Sequence, residues 1–295
     1  MTKYGPTFRK IREDKDISQK EVYMGIVSRS FYQKFEKGEY TTSIENFEKL
    51  LNRINLTYEE FKFIYHDYHL ITYDQHLLDI FEAYQDYNYD KLDLLYNSLR
   101  FSSIQKEIFL SRIALLLQKN ILGKRMKSTD FHFIYDYLDK ISNWSFFETK
   151  LFNNIMSLIP FEKRKSYFEK SRSFSKRNVK LALINVEISN WQSYIYLNHI
   201  QLLLYENKFT EANDVLMKMQ KDKELYFTNE RNELAFLFLK ELISLYNSEN
   251  RNSALCNIEK IIDLVKMLNQ TNGLLYDEIK KNHKQRSHNV RVSIL

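Results

Sequence analysis

The chain has 295 residues, enough for two domains, and 44% of them are hydrophobic, so a sizeable core can form. It contains only 5 glycines and 2 prolines and no run of alternating β-branched residues, which argues against β-sheet and favours an all-helical protein. The net charge of +6 suits a polyanionic partner without being diagnostic of one. The single cysteine excludes an intrachain disulfide and is typical of a reducing cytoplasm.

Targeting signals are absent from the sequence pattern. The first ten residues contain no apolar stretch of the kind found in a signal peptide. No window approaches the apolar length of a membrane span. We therefore expect a cytoplasmic protein without a membrane partner.

The first helix is predicted to end near Asp14, with Pro6 in its first turn and Phe8 and Ile11 facing inward. Two short helices follow. Ser18 and Glu21 have the spacing of a capping box, and Gly25 ends the first of the two.

Ser28 caps the second short helix, in which Tyr32 and Phe35 face inward, and Gly38 takes the position just past its end. Two capped helices joined this tightly form a helix-turn-helix. The outward face is short, polar and basic, which suits base edges and phosphates in a major groove. That face consists of Arg29, Ser30, Gln33 and Lys34. The alternative interpretation is an ordinary helical hairpin with a solvated face.

Two further capped helices complete an N-terminal domain. Ser43 caps a helix over residues 44–54, and Thr57 with Glu60 forms a second capping box. This makes five helices by about His66. No glycine- or proline-rich linker follows, and residues 66–87 are predicted to continue as a helix, giving a semi-rigid connection.

These residues also carry a family resemblance. I-S-Q-K-E-V, followed by S-R-S-F-Y-Q-K-F-E-K-G-E, resembles the helix-turn-helix of Cro/C1-type repressors. The turn is one residue shorter than usual and F-E-K-G-E follows, and both features resemble the Rgg/GadR/MutR family of Gram-positive transcription regulators. The resemblance implies an N-terminal DNA-binding domain and an all-helical repeat domain that binds a short signalling peptide, as in quorum sensing. It is strong over the N-terminal domain and architectural beyond it.

The resemblance also implies which side chains contact operator DNA. Position in the motif assigns base reading to the outward face of the second helix and backbone contacts to residues beside it. The implied set is Gln19, Ser28, Arg29, Ser30, Gln33, Lys34 and Lys37.

The remainder of the chain has helical periodicity with three similar segments. Each has a helix ending in tyrosine, a short turn containing Asn88, Asn207 or Asn250, and another helix. The spacing of these turns is close to multiples of roughly 40 residues, a helical-hairpin repeat period. Pro160 and a break at Gly123 supply intermediate turns. Y-E-N-K-F-T-E-A resembles the turn of a tetratricopeptide repeat.

We therefore predict an all-α fold, in which a five-helix helix-turn-helix domain precedes a tetratricopeptide-like solenoid of helical hairpins with one concave face. Residues 1–66 form the DNA-binding domain, 67–282 the ligand-sensing and dimerisation domain, and 283–295 a basic, frayed tail. A non-repetitive helical bundle is the alternative for the second domain.

Motifs for catalysis are missing, so we predict that the protein is not an enzyme and needs no cofactor. The sequence has no glycine-rich phosphate loop, nucleophile elbow or H-E-x-x-H motif. His66 and His69 could share a metal on one helix face, but no further ligand lies near in sequence, so we predict no metal site. The seven histidines could make the protein pH-responsive. Cys256 is predicted to be a small core residue.

Polar residues embedded in aromatic helices are the candidate ligand site. An asparagine amide both donates and accepts, so it can hold an extended peptide backbone, while arginine can bind a terminal carboxylate and aromatic rings supply apolar walls. The alternative is that most of these residues are exposed or cap neighbouring turns. The candidates are Asn154, Asn185, Asn190, Trp191, Tyr194, Asn198, Asn229 and Arg231.

Together these patterns predict a transcriptional regulator that binds double-stranded operator DNA, and the family resemblance implies that it senses a short peptide on the concave face of its second domain. A single helix-turn-helix reads too few bases, so we expect a homodimer, formed through C-terminal hairpins over residues 245–276. Two rival functions remain. One is a repeat-domain protein-interaction scaffold with a DNA-binding head, and the other is an unrecognised hydrolase in the helical domain.

Overall fold

The computed structural model describes residues 4–69, 72–124, 127–184, 186–226, 230–247 and 249–289. Over these residues the chain forms seventeen α-helices and two short 3-10 helices, with no β-strand, which confirms the predicted all-α class. The chain divides into two compact units, Met1–Asp130 and Phe131–Leu295. No helix within these ranges is long and apolar enough to cross a membrane.

Five helices open the first unit, as the capping pattern predicted. Their aromatic and aliphatic side chains share one core, in which the ring centres of Phe8, Phe47 and Phe61 lie 5.0 to 6.4 Å apart. The helices are α1 (Tyr4–Asp14), α2 (Gln19–Tyr23), α3 (Arg29–Glu36), α4 (Ile44–Arg53) and α5 (Tyr58–Tyr65). The buried core is Phe8, Ile11, Val22, Tyr32, Phe35, Phe47, Leu50, Leu51, Ile54 and Phe61.

The predicted N-caps form. The Ser18 hydroxyl accepts a hydrogen bond from the Glu21 backbone N–H, and the Glu21 carboxylate accepts one from the Ser18 N–H at 2.8 Å. Thr57 and Glu60 make the same reciprocal pair at the start of α5. Ser28 accepts from the N–H of Phe31 at 3.2 Å. These side chains satisfy N–H groups that have no partner inside their helices.

A Schellman motif ends α3. Gly38 has a φ of +73°, its N–H donates to the Phe35 carbonyl at 2.8 Å, and the Glu39 N–H donates to the Lys34 carbonyl at 2.9 Å. Glycine takes this left-handed conformation without strain, so the predicted stop is confirmed.

The predicted helix through residues 66–87 is wrong. α5 ends at Tyr65, and Asp67 and Tyr68 have φ values of +52° and +63°, which a right-handed helix cannot contain. Their N–H groups bond the carbonyls of Ile64 and Phe63, which is the hydrogen-bond pattern that glycine makes after α3. An aspartate tolerates the left-handed conformation, so the chain turns here without glycine or proline.

Three more helices complete the first unit and pack on one another. They are α6 (Thr72–Gln85), α7 (Tyr89–Leu99) and α8 (Gln105–Ile121). Tyr87 has a φ of +53° in the predicted turn, and Asn88 caps α7 by accepting from the Lys91 N–H at 2.9 Å. Gly123, with a φ of +60°, follows α8 at the predicted break.

The second unit is a succession of helices in which each hairpin packs against the next, which is the neighbour pattern of tetratricopeptide-like repeats. The helices are α9 (His132–Lys140), α10 (Phe146–Ile155), α11 (Phe161–Arg177), α12 (Val179–Ile184), α13 (Val186–Tyr205), α14 (Phe209–Tyr226), α15 (Glu230–Ser244), α16 (Arg251–Leu268) and α17 (Gln270–Asn289). Helix α13 packs against α10, α11, α12, α14 and α15.

The predicted turn residues of this unit lie between helices. Asn207, with a φ of +59°, separates α13 from α14, and Pro160 and Asn250 directly precede α11 and α16. The expectation of a frayed tail from residue 283 does not hold as far as Asn289, because α17 continues to that residue and His283 is fully buried. Residues 290–295 lie outside the described ranges. The domain division at residue 66 stays a prediction.

The predicted burial of Cys256 is wrong. Cys256 is exposed on α16, whose buried side chains include Ala254 and Ile258, two residues to either side. Each helical residue turns the chain by about 100°, so a position two residues away points to the opposite face. An apolar residue type therefore does not by itself place a side chain on the buried face of a helix.

The backbones of α1 and α3 approach each other closely at Gly5. A Cβ placed on Gly5 would lie 1.6 Å from the carbonyl oxygen of Phe35. Gly5 is buried within α1, where glycine weakens a helix relative to alanine. Only a residue without a side chain allows this contact.

We expect Gly5→Ala to destabilise the first unit by about 1–3 kcal/mol, since the added methyl group forces α1 away from the end of α3. Chemical denaturation followed by circular dichroism measures the change in free energy of unfolding. Lys10→Ala, an exposed change on the same helix, is the control and should have little effect. Equal stability of Gly5→Ala and the parent chain would contradict this close packing.

Candidate DNA-binding and ligand-binding sites

The outward face of α3 carries the residues that the motif singled out. Arg29, Ser30 and Lys34 are exposed and Gln33 is half-buried. Lys37 is exposed at the C-cap. Ser28 caps the helix, and its hydroxyl lies 3.3 Å from that of Ser30. The face therefore presents three cations and several hydrogen-bonding groups.

Lys34 has a neighbour that the sequence pattern did not indicate. Its Nζ donates to the hydroxyl of Tyr40 at 3.2 Å and lies 4.8 Å from the centre of that ring. Tyr40 belongs to the loop between α3 and α4. This contact links the outward face of α3 to the loop that follows it.

A buried ion pair holds the inner end of α3. Arg12 of α1 donates from Nε and Nη2 to the two carboxylate oxygens of Glu36, at 2.6 and 3.2 Å. Arg12 is 6% exposed and Glu36 2%. The hydrogen bond that Arg12 donates to Glu36 raises the pKa of Arg12, which stays charged. A two-point contact between planar groups fixes both distance and orientation.

Gln19 joins this ion pair. Its Nε2 donates to Glu36 at 2.6 Å, and the side chain is half-buried. Arg12 Nη1 also donates to the carbonyl of Ile17 at 2.8 Å. Gln19, one of the residues expected to contact DNA, thus links the start of α2 to the end of α3.

In the second unit, one face of α13 brings together three of the predicted ligand residues. Trp191, Tyr194 and Asn198 are three and four residues apart and lie along one side of the helix. All three are half-buried. A surface with aromatic rings and an amide therefore runs along α13.

Helix α10 lies against this face. The ring of Phe146 meets that of Trp191 edge to face at 6.4 Å, and Lys150 Nζ lies 5.7 Å from the centre of the Trp191 ring. Asn198 Nδ2 donates to Oδ1 of the buried Asn153 at 3.1 Å. Spacings of four and three residues on α10 match those on α13, so the two faces pair along their length.

Tyr194 connects this surface to two later helices. Arg231 of α15 donates to the Tyr194 hydroxyl at 3.2 Å, and that hydroxyl donates to Oδ1 of Asn272 on α17 at 3.3 Å. We call the surface formed by Phe146, Lys150, Asn153, Trp191, Tyr194, Asn198, Arg231 and Asn272 the α13 surface. It combines cations, amides and aromatic rings.

Not every predicted ligand residue belongs to the α13 surface. The Asn154 amide donates to the Lys150 carbonyl one turn earlier in its own helix. Asn185 and Asn229 lie outside the described residues, as does the side chain of Asn190. Sequence reasoning missed Phe146, Lys150, Asn153 and Asn272. The matching spacing on α10 is the one signal that could have indicated the first three.

The histidines lie in contrasting environments. Burial lowers the pKa of His199 to about 3 and that of His283 to about 4, so both rings stay neutral across the physiological range. His69 Nδ1 lies 3.2 Å from the carbonyl oxygen of His66. Within the described ranges, no three histidine, cysteine or acidic side chains group so as to hold a metal ion.

Two family models match the chain. Residues 8–61 match a helix-turn-helix model, which defines the class of the N-terminal domain. Residues 74–278 match the model of the C-terminal domain of the HTH-type transcriptional regulator Rgg. The second match spans most of the chain, so this protein belongs to the Rgg family of helix-turn-helix transcriptional regulators, as the resemblance indicated.

Solved structures share this fold at low sequence identity. A candidate transcriptional regulator from Listeria monocytogenes EGD-e superposes with a TM-score of 0.84 at 22% identity, over 98% of this chain and 99% of that one. The SHP pheromone receptor Rgg2 of Streptococcus dysgalactiae gives 0.72 at 18%, over 96% and 99%. PrgX in complex with cCF10 gives 0.67 at 13%, over 97% and 99%.

Proposed function

We propose that this Rgg-family regulator binds operator DNA through α3 as a homodimer and senses a short peptide on the α13 surface. The observation that carries the proposal is the polar, basic face of α3, anchored from behind by the buried Arg12–Glu36 pair. Its DNA partner implies that it works in the cytoplasm. Rgg2 is an SHP pheromone receptor, and another structure with this fold is a bacterial peptide pheromone–receptor complex, which supports a peptide as the signal.

The α3 face has the chemistry for reading a major groove. An arginine such as Arg29 can bond the O6 and N7 of guanine with two donors, and lysines such as Lys34 and Lys37 neutralise phosphates or reach base edges. Because Tyr32 and Phe35 lie in the core, α3 cannot roll to change the register of these side chains. A fixed helix presents them at a constant spacing to successive bases.

We expect Arg29→Ala to weaken binding to the DNA duplex that the parent chain prefers by about 1–3 kcal/mol, and to relax specificity at one base pair. Lys37→Ala should weaken binding to all sequences alike and reduce the salt dependence, since one phosphate contact is lost. The measurement is fluorescence anisotropy on a duplex selected by the parent chain from a random library, over a range of salt concentrations.

Lys49→Ala, an exposed change on α4, is the control for lost positive charge in these titrations. Normal binding by a folded variant carrying both Arg29→Ala and Lys34→Ala would show that α3 is not the recognition helix.

The α13 surface has the chemistry for holding an extended peptide. The paired amides of Asn153 and Asn198 can exchange their mutual hydrogen bond for bonds to a peptide backbone. Trp191 and Phe146 provide an apolar wall, and Arg231 is placed to bind a carboxylate. A short peptide loses much entropy on ordering, so its affinity should come from a few such anchors.

We expect Asn198→Ala to weaken peptide binding by roughly 1–3 kcal/mol, because a peptide amide is left buried without a partner. Trp191→Ala should weaken peptides with large apolar side chains most. Calorimetric titration of the full chain with a library of short, largely apolar secreted peptides measures both effects. Asn154→Ala is the comparison and should cost less, because its amide bonds its own helix.

Neither Asn198→Ala nor Trp191→Ala should change DNA binding by the peptide-free protein. If the folded chain binds none of the peptides but retains a tightly bound protein partner from lysate, the interaction-scaffold function takes the place of peptide sensing.

The homodimer proposal rests on an apolar patch at the α16–α17 turn, inside the predicted region 245–276. Met267 is 84% exposed and Leu268 71%, and three further leucines lie partly exposed beside them in sequence. Those leucines are Leu264, Leu274 and Leu275. Clustered apolar side chains in water are typical of a protein interface.

We expect a dimer in sedimentation velocity at micromolar concentration, and we expect Met267→Lys with Leu268→Lys to shift it towards monomer, because two charges would be buried at the interface. Both positions are exposed, so the fold should survive. Glu249→Lys, an exposed charge change outside the patch, is the control. A parent chain that stays monomeric with and without DNA would contradict the dimer.

A further inference from the structure

We propose that Tyr40 is a positioning residue of the DNA-binding face, and that it orients the ammonium group of Lys34 towards a guanine base. Tyr40 belongs to the loop between α3 and α4, outside the helix that carries most of the expected DNA contacts. Both side chains are exposed, so their contact lies on the surface rather than in the core. The inference deepens the proposed DNA-binding function and rests on it, because it assigns one base to one side chain of that face.

The backbone fixes Tyr40 beside Lys34. The Lys34 carbonyl accepts hydrogen bonds from the N–H of Glu39 at 2.9 Å and from the N–H of Tyr40 at 3.3 Å. The first of these bonds belongs to the Schellman motif at Gly38, so the loop leaves α3 in a defined direction. Tyr40 is therefore tied through its backbone to the same residue whose ammonium group its hydroxyl meets.

Side-chain contacts hold the ring of Tyr40. The ring packs on the half-buried Phe31, with ring centres 5.7 Å apart. Lys34 Nζ donates to the Tyr40 hydroxyl at 3.2 Å and lies 4.8 Å from the ring centre, close enough for cation–π attraction. Phe31 and Lys34 are three residues apart and are neighbours on the surface of α3. The ring thus contacts α3 at two neighbouring positions.

Lys34 keeps its charge for DNA in this arrangement. Over the residues that the structure describes, Lys34 forms no ion pair, and its contacts are the neutral hydroxyl and ring of Tyr40. A lysine on its flexible four-carbon stem is otherwise a point charge that suits any phosphate. Contact with Tyr40 gives the charge a defined place, and a defined place is what reading a base requires.

The donors that remain on Lys34 select guanine. An ammonium group has three N–H donors, and Tyr40 takes one of them, which leaves two for DNA. In the major groove guanine presents two acceptors, O6 and N7, whereas adenine pairs one acceptor with a donor, thymine has one acceptor and cytosine has a donor. A fixed cation with two free donors therefore matches guanine better than any other base.

Fluorescence anisotropy on the duplex that the parent chain prefers tests the base assignment. A series of single-base changes, read with the parent chain and with Lys34→Ala, identifies the base pair whose recognition depends on Lys34, and we expect guanine there. Replacing that guanine with 7-deazaguanine, which has no N7 acceptor, should weaken binding by the parent chain about fivefold. The same replacement should leave binding by Lys34→Ala unchanged.

Tyr40→Phe keeps the ring and removes the hydroxyl. We expect it to lower the preference for guanine at this position about fivefold, which corresponds to one hydrogen bond. In a chain that already carries Lys34→Ala it should have no further effect, because Tyr40 acts through Lys34. Tyr58→Phe, at a tyrosine of α5 that is 45% exposed against 46% for Tyr40, is the matched control and should leave the preference intact.

Each of four outcomes would overturn the inference. They are a base other than guanine at the Lys34-dependent position, a Lys34→Ala variant that weakens all sequences alike, an unchanged preference in a folded Tyr40→Phe variant, and additive effects of the two substitutions. Additivity would mean that Tyr40 contacts DNA itself or acts through the fold. Any of these results, in a chain whose specific binding still depends on Arg29, refutes this inference alone. A parent chain that selects no duplex refutes the proposed DNA-binding function, and the assignment of guanine with it.

Discussion

The buried ion pair between Arg12 and Glu36 is the contact on which the N-terminal domain depends. Both groups are almost fully removed from water, and their desolvation is offset only because the carboxylate takes two bonds from the guanidinium and a third from Gln19. Loss of one partner from such a pair would cost about 3–5 kcal/mol, since the other charge would remain buried. The pair also excludes any sliding of α3 along α1, which the close approach at Gly5 already restricts.

Anchoring α3 from behind has consequences on its outer side. Because its buried face is fixed by Tyr32, Phe35 and Glu36, its exposed side chains have a defined direction even without DNA. The loop that follows starts from the Schellman motif at Gly38 and places Tyr40 against Lys34. The outward face of α3 and the loop after it are therefore joined by one hydrogen bond, from Lys34 to Tyr40.

The α13 surface shows which parts of a candidate ligand site can be selected from sequence. Trp191, Tyr194 and Asn198 could be selected because polar groups stood out in an aromatic helix and their spacing places them on one face. Their partners could not, since Asn153 and Asn272 are 45 and 78 residues away from the groups they bond. Asn153 and Asn154 are adjacent residues of the same type, so the sequence does not show which of them faces α13. Only the packing of α10 on α13 decides that the Asn153 amide bonds Asn198 while the Asn154 amide bonds its own helix.

The sequence by itself determined the features whose hydrogen bonds close within a few residues. Capping boxes at Ser18 and Thr57, the glycine stop at Gly38 and the asparagine turns follow from local chemistry and appear as predicted. Only the tertiary structure decided the Arg12–Glu36 pair and the hydrogen bond between Asn198 and Asn153. Each of these two contacts depends on the distance between helices far apart in the chain, and a local pattern carries no information about that distance.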